Sequence, residues 1–341
     1  MSIDNLSESQ LTYTRFRTPF ESIPSIHPEQ MSRVREYFMS RAKKGIIIID
    51  LDRNLTDESY ELSDPEIFDL ISQAKDKGYL VCLNSSRSPK KLRYWQEKLK
   101  THFPTFAENG LILDIPDPEA GLNMQIVTDD RALLFNDNFR QYAIPELREA
   151  LKDSYPNLEI RMCADEEPED AIRKAVASGS WKETKDEYGI FINGWTRVKT
   201  VMNAFRKSAG GTQYDEIFTK KVLSILEKLR ERIPYNREVR FKSYSDDCSI
   251  LAYPTEQNKT YIWRMLLSYL GEDAKNLKFY HMGDGNEDDI HDEKVTVLAP
   301  ANAKQAILNR PKERTKIAPE GYTYTKGVIF HLKEIIGGRY E

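Results

Sequence analysis

Apolar and polar positions fall into two textures along the chain. Gly45-Ile46-Ile47-Ile48-Ile49 is a short apolar, β-branched run that ends in Asp50, and such runs suit a parallel strand buried on both faces. A helical pattern is expected over residues 64–77, closed by Gly78. Residues 79–83 form the next apolar strand, and a second helix over 89–101 leads to Thr105-Phe106-Ala107. Strand, helix, strand, helix, strand is the pattern of a parallel sheet with helical crossovers. Ahead of it, residues 28–44 place Met31, Val34, Phe38 and Ala42 at helical spacing. That predicts an amphipathic helix docked on the core, with a partner-binding arm as the alternative.

From 116 to 252 the texture changes. Helical patterns around 144–154 and 218–232 are surrounded by strand-like pieces at 124–128, 159–163, 189–192, 239–243 and 249–253. Residues 208–212 and Pro234 mark loops. The core pattern then resumes with a helix over 259–270 and strands over 277–282 and 294–298. The expected fold class is α/β: a doubly wound parallel-sheet core, residues 45–115 and 253–341, with an inserted α+β domain at 116–252. Residues 1–44 form an N-terminal extension carrying one amphipathic helix.

Composition narrows the function classes. Lys and Arg number 50 against 54 Asp and Glu over 341 residues, with both signs interspersed. No basic stripe stands out, so nucleic acid is not an expected partner. No run approaches the roughly 20 apolar residues needed to span a bilayer, and the first residues lack a secretory pattern. The expected compartment is cytoplasmic, with no membrane partner. Cys82, Cys163 and Cys248 form no CxxC pair and read as free thiols, Cys82 as a buried structural one. Nothing in the pattern specifies an oligomeric state.

Four short segments carry candidate chemistry. The first strand empties into Asp50-Leu51-Asp52-Arg53-Asn54-Leu55. Side chains at i and i+2 of an extended chain leave on the same side, so Asp50 and Asp52 can face one site at a strand's carboxyl end. Two carboxylates side by side call for a cation, and Mg²⁺ is a hard ion that favours their oxygens; the other reading is a solvated acidic turn. After the second strand, Ser85 and Ser86 can cradle phosphate oxygens or simply cap the next helix. Lys259, opening an amphipathic helix, offers a fixed positive charge or is one more surface lysine. Gly283-Asp284-Gly285-Asn286-Glu287-Asp288 permits a tight turn that positions Asp284 and Asp288 for a metal. It bears a faint likeness to a calcium loop, but the required glycine and glutamate spacing is missing.

In this order, the four segments resemble the signature of the haloacid dehalogenase phosphatases. The resemblance implies that Asp50 is the nucleophile and Asp52 the general acid/base of an Asp-x-Asp-x-Thr motif. Ser85 matches the small hydroxyl residue of the second motif, Lys259 the basic residue of the third, and Asp284 and Asp288 the Gly-Asp-x-x-x-Asp of the fourth. Ala107-Glu108-Asn109-Gly110 and Ala301-Asn302-Ala303 resemble the branch whose α+β cap lies between the second and third motifs, the type IIB branch of the Cof-type and sucrose-phosphate phosphatases.

The implied activity is hydrolysis of a phosphomonoester, a small sugar phosphate by preference, through an aspartyl-phosphate. Mg²⁺ is the implied cofactor, held by Asp50, Asp52, Asp284 and Asp288. Ser85, Ser86 and Lys259 would bind the phosphoryl oxygens. Other readings are a phosphomutase, a phosphoprotein phosphatase and a catalytically idle binding protein on the same scaffold. Two departures from the family stand at the first motif. Asn54 replaces threonine, with its loop-bonding capacity retained, and Arg53 replaces glycine. Arg53 and Arg87 are candidate substrate contacts, as are Arg161, Trp181, Trp195, Arg197 and Lys199 in the inserted segment.

Overall fold

A computed structural model describes residues 28–59, 61–99, 103–117, 122–128, 130–163, 187–194, 196, 199–208, 211–230, 239–244, 249–254 and 259–340. The chain divides into two compact units. The first, the core, contains residues 23–129 and 257–341, and the second contains residues 130–256.

The core is built on an eight-stranded sheet. Its strands are β1 (Gly45–Asp50), β2 (Tyr79–Asn84), β3 (Thr105–Ala107), β4 (Ile112–Asp117), β5 (Leu122–Val127), β12 (Lys278–Met282), β13 (Val295–Ala299) and β14 (Thr315–Ile317). Their spatial order is β14-β13-β12-β1-β2-β3-β4-β5. The pairings from β14 to β3 are parallel, and β3–β4 and β4–β5 are antiparallel. The expected parallel α/β sheet is therefore present, extended at one edge by a hairpin.

β1 is buried along its whole length, as its unbroken isoleucine run requires. Ile46 and Ile48 join a cluster with Val34 and Phe38 of α1 (Pro28–Arg41) and with Ile262, Trp263 and Leu266 of α6 (Thr260–Leu270). By alternation, Ile47 and Ile49 face the other side. There α2 (Glu66–Asp76) packs against both β2 and α8 (Tyr324–Ile336). The helix expected in the N-terminal extension thus docks on the core through the residues its spacing singled out. Cys82 lies fully buried on β2.

One boundary differs from the sequence reading. Residues 124–128 were expected inside the inserted segment, but β5 pairs over its full length with β4, and Leu113, Ile115 and Ile126 are core residues. The insertion therefore begins at residue 130 rather than 116, and ends at 256 rather than 252. The misreading has a physical source. Pro116 looks like a strand breaker, yet it lies past the last β3 pairing, at Asp114, and is tolerated there.

The inserted unit has a six-stranded sheet of β6 (Glu159–Cys163), β7 (Glu187–Asn193), β8 (Thr200–Ser208), β9 (Gly211–Tyr214), β10 (Val239–Tyr244) and β11 (Ser249–Pro254). The path is β10-β11-β8-β7-β6, and β9 pairs with β8. Its helices are α4 (Asp130–Leu151) and α5 (Glu216–Leu229), whose Phe139, Leu147, Phe218, Val222 and Leu226 pack with Ile190, Ile192, Met202 and Ile250 of the sheet. This is the expected α+β texture, with a separate core. α3 (Pro89–Lys98) follows β2 in the core, and the short α7 (Gln305–Leu308) precedes β14. No helix among the described residues is long and apolar enough to cross a membrane.

Candidate active site

β1 and its neighbours run in parallel, so their carboxyl ends open on one edge of the sheet, where such folds place ligands. Asp50 is the last residue of β1 and is buried. The chain then makes a single wide turn, in which Thr56 N–H donates to Leu51 O at 3.0 Å. Inside it Asp52 is extended and Arg53 is left-handed, at φ 57° and ψ 12°. The loop is held from within. The Thr56 hydroxyl donates to Leu51 O and accepts from Arg53 N–H, both at 3.2 Å, and the Asn54 side-chain amide donates to Asp50 O at 3.3 Å. Asn54 thus performs the backbone-bonding role expected of the residue at its position.

Lys259 immediately precedes the first turn of α6 and is almost completely buried. Its Nζ lies 2.7 Å from Asp50 Oδ1 and 2.7 Å from Asp288 Oδ1. Asp284 and Asp288 follow β12, and Gly283 between them and the strand is obligatory: a Cβ there would stand 2.1 Å from the Asp288 carboxyl carbon. One oxygen each from Asp50, Asp284 and Asp288 lies within 4.8 Å of the other two. Three of the four expected metal carboxylates therefore converge. Asp52 does not join them. Its carboxylate is gripped by the Arg87 guanidinium, with Nη2 at 2.6 Å and Nε at 3.0 Å from Oδ1, and it accepts from the Ser85 hydroxyl at 3.2 Å. Ser86 follows in the same loop, half-buried.

The second-motif loop is braced by the Glu-Asn-Gly turn. Glu108, Asn109 and Gly110 are successively left-handed, at φ 50°, 60° and 86°. Glu108 N–H donates to Arg87 O at 2.9 Å, and Asn109 N–H to Ser85 O at 3.1 Å. The glycine is required twice over, because a Cβ on Gly110 would also stand 2.2 Å from Ile262 Cγ1.

The electrostatics call for a cation. Burial pushes the Asp50 carboxyl well above the ordinary range against the pull of Lys259, with Asp288 and Asp52 adding to the rise. Burial, then the nearby Asp288, raises Asp284 to about 7. Burial also disfavours the Asp288 carboxylate, but Lys259 and His281 more than offset it and bring the group down to about 2. Lys259 is disfavoured by its own burial yet held charged by Asp288 and Asp50. Three clustered carboxylates against one lysine, all hard oxygen donors, fit a Mg²⁺ ion, and Asp50, Asp284 and Asp288 are the residues to hold it.

Sequence reasoning missed His281. It is fully buried on β12, its Nε2 2.8 Å from Asp288 Oδ1, while its Nδ1 accepts from Trp263 Nε1–H at 3.1 Å. Because the indole only donates, Nε2 must carry the proton, and His281 donates it to Asp288. Burial depresses the histidine further, keeping it neutral. The signal was a lone imidazole in the otherwise apolar Phe279-Tyr280-His281-Met282. Arg53 lines a cavity beside Asp284. Arg161 and Lys199 lie in the inserted unit; Trp181, Trp195 and Arg197 fall outside the described residues.

A family profile for haloacid dehalogenase-like hydrolases matches residues 47–291, more than half the chain and inclusive of all four motifs. The chain belongs to that family. A mannosyl-3-phosphoglycerate phosphatase from Pyrococcus furiosus is 27% identical over 146 residues. That alignment covers 42% of this chain and 45% of the relative, so the chain spans less than half the relative's length. Among solved structures, a haloacid dehalogenase-like hydrolase from Bacteroides thetaiotaomicron superposes with a TM-score of 0.56 at 15% identity, covering 86% of this chain and all of that one. A structure from Thermotoga maritima gives 0.55 at 17% identity, over 85% and 97% of the two chains. At such identities the superpositions establish a shared fold. This family member carries the α+β insertion between its second and third motifs, as the type IIB branch does.

Proposed function

We propose that this hydrolase is a Mg²⁺-dependent phosphatase that cleaves a phosphomonoester of a sugar or sugar derivative through an aspartyl-phosphate. The convergence of Asp50, Asp284 and Asp288 on the buried Lys259, from three separate stretches of chain, carries the reading. No packing need explains so much buried charge, and such clusters mark functional sites. The partial likeness to a mannosyl-3-phosphoglycerate phosphatase supports a sugar-derived leaving group.

A Mg²⁺ held by Asp50, Asp284 and Asp288 would neutralise charge on the phosphoryl oxygens. Lys259 pulls against the burial that favours a neutral Asp50 and, together with the cation, would hold it ionised and oriented for in-line attack on phosphorus. As the Asp50 oxygen bonds to phosphorus, the bond to the leaving oxygen breaks. Asp52, released from Arg87 and carrying the proton it takes from water in the second half of each cycle, delivers that proton to the leaving oxygen. Asp52 exchanges its grip on Arg87 for this contact, which turns the guanidinium toward the phosphoryl group. Ser85 and Ser86 receive the remaining oxygens. In the second half, water attacks phosphorus, its proton passes to Asp52, and the Asp50 carboxylate is released with phosphate.

The inserted unit, with its own core, is the part assigned to substrate choice. The deciding experiment is a phosphate-release screen over sugar phosphates, nucleotides and phosphopeptides, with Mg²⁺ and in chelator. Release from sugar phosphates that vanishes in chelator is expected. Absence of release from every ester, or full release in chelator, overturns the reading.

A further inference from the structure

β2 ends in Asn84, one residue before Ser85, and in the register of the sheet Asn84 stands beside Asp50 of β1. Parallel strands lie about 4.8 Å apart, and residues paired in register carry their side chains on one face. Asn84 therefore shares both the face and the end of the sheet with the proposed nucleophile. Its other neighbours on that face are apolar: Cys82, two residues back on β2, and Phe106, its register partner on β3. Asn84, Cys82 and Phe106 are all wholly buried.

The Asn84 amide has no hydrogen-bond partner among the described residues, at Oδ1 or at Nδ2. Exchanging the two ends of the amide leaves that result the same. Among the described residues, it is the one buried side chain left unpartnered at two polar atoms. An amide in that condition lowers stability, because it has given up its bonds to water and gained none. An apolar side chain would suit Cys82 and Phe106 better. The polar group beside it is Asp50, and Asp50 is turned to Lys259, with Oδ1 2.7 Å from Nζ.

Esterification changes what Asp50 needs. As an aspartyl-phosphate it has one oxygen bridging to phosphorus and one carbonyl oxygen, and it has lost the charge that Lys259 answers. The carbonyl oxygen stays buried and has two lone pairs, so a cation on one leaves the other for a donor. When water then attacks phosphorus, the bond from phosphorus to Asp50 breaks and its electron pair returns to the carboxylate. Burial disfavours that charge. An N–H already aimed at the oxygen, and strengthening as the charge forms, lowers the barrier.

We propose that Asn84 is a positioning residue for the phosphorylated nucleophile, its side-chain amide donating to the Asp50 carbonyl oxygen of the aspartyl-phosphate. The assignment deepens the phosphatase reading and rests on it for turnover. It accounts for an amide that the resting site leaves idle among apolar neighbours.

Beryllofluoride with Mg²⁺ tests the assignment, because this ion caps an aspartate carboxylate in the shape of a phosphoryl group and does not turn over. The wild-type protein should bind it, as read by titration calorimetry. Asn84→Leu, which keeps the branched outline, and Asn84→Ala should each weaken that binding by about tenfold. Turnover of a small aryl phosphate should drop by at least as much. Without beryllofluoride, Asn84→Leu should melt about 2–4 °C above wild type, since it removes the idle amide. No beryllofluoride binding by the wild-type protein, or unchanged affinity in a folded variant, overturns the assignment. A lower melting temperature in both variants with affinity retained does the same, and marks a structural amide. Phosphate release by the wild-type protein with affinity unchanged in the variants sinks the assignment alone. Beryllofluoride binding that depends on Asn84, without phosphate release from any ester, upholds it and sinks the phosphatase reading.

Discussion

The two units of this hydrolase bury polar groups for different ends. In the inserted unit, the contacts of Asn136, Arg140 and Thr200 brace the architecture. The Thr200 hydroxyl bonds Asn136 Oδ1, Asn136 Nδ2 donates to Thr196 O at 3.3 Å, and Arg140 donates to Asn193 O at 2.9 Å. Around them Tyr155, Tyr188 and Phe218 pack with ring centroids 4.6 to 4.9 Å apart. In the core, by contrast, Asp50, Lys259, His281 and Asp288 are all nearly inaccessible and bond chiefly to one another at the end of the sheet. A buried charge cluster, here joining the ends of β1 and β12 to the start of α6, is costly for folding alone. The contrast therefore assigns the chemistry to the core and leaves the inserted unit as a separately stabilised body.

That division can be broken in several ways, the largest effect first. Asp50→Asn keeps the shape but removes the proposed nucleophile. Turnover should drop by roughly 10⁴-fold, about 5.4 kcal/mol, in single-turnover assays on the best substrate; a retained hundredth of the rate would take Asp50 out of the role. Lys259→Met should destabilise the core by about 3–5 kcal/mol in chelator, because Asp50 and Asp288 lose the cation they share. Denaturant unfolding reads this, and a change under about 1 kcal/mol would mean that the carboxylates are relieved by other means.

Phe218→Ala tests the other side of the comparison. Emptying this fully buried position should cost about 3 kcal/mol within the inserted unit. Hydrolysis of a small aryl phosphate should persist, while preference among natural esters weakens. Equal loss on both kinds of substrate would falsify the division of labour. The smallest effect is expected for His281→Leu, which removes the donor that orients Asp288. Mg²⁺ affinity, measured by titration calorimetry, should weaken by about tenfold to a hundredfold, or ~1.4–2.7 kcal/mol. An unchanged affinity would leave His281 as packing alone.

Much of this was legible in the chain. The isoleucine run of β1, the glycine after α2 and the helical spacing in α1 each specify their element locally, because burial on one or two faces imposes a period that survives in any context. The ordered motifs around Asp50, Ser85, Lys259 and Asp284 were legible for the same reason: each sits at an element boundary, where turn chemistry marks the sequence. The edge hairpin was less so. β5 reads as a generic strand, and only pairing decides that it closes the core sheet rather than opening the insertion.

What the sequence determined by itself is thus the α/β order, the placement of an insertion between the second and third motifs, and the residues proposed for phosphoryl chemistry. Tertiary structure alone decided how those residues are shared. It drew Asp50, Asp284 and Asp288 around Lys259 while handing Asp52 to Arg87, and it brought His281 and Trp263 behind Asp288. It also set Arg53, Lys304 and Tyr324 around one cavity. The physical reason is that periodicity is a property of neighbours along the chain. Charge neutralisation and hydrogen-bond saturation are settled between groups that only folding brings within reach.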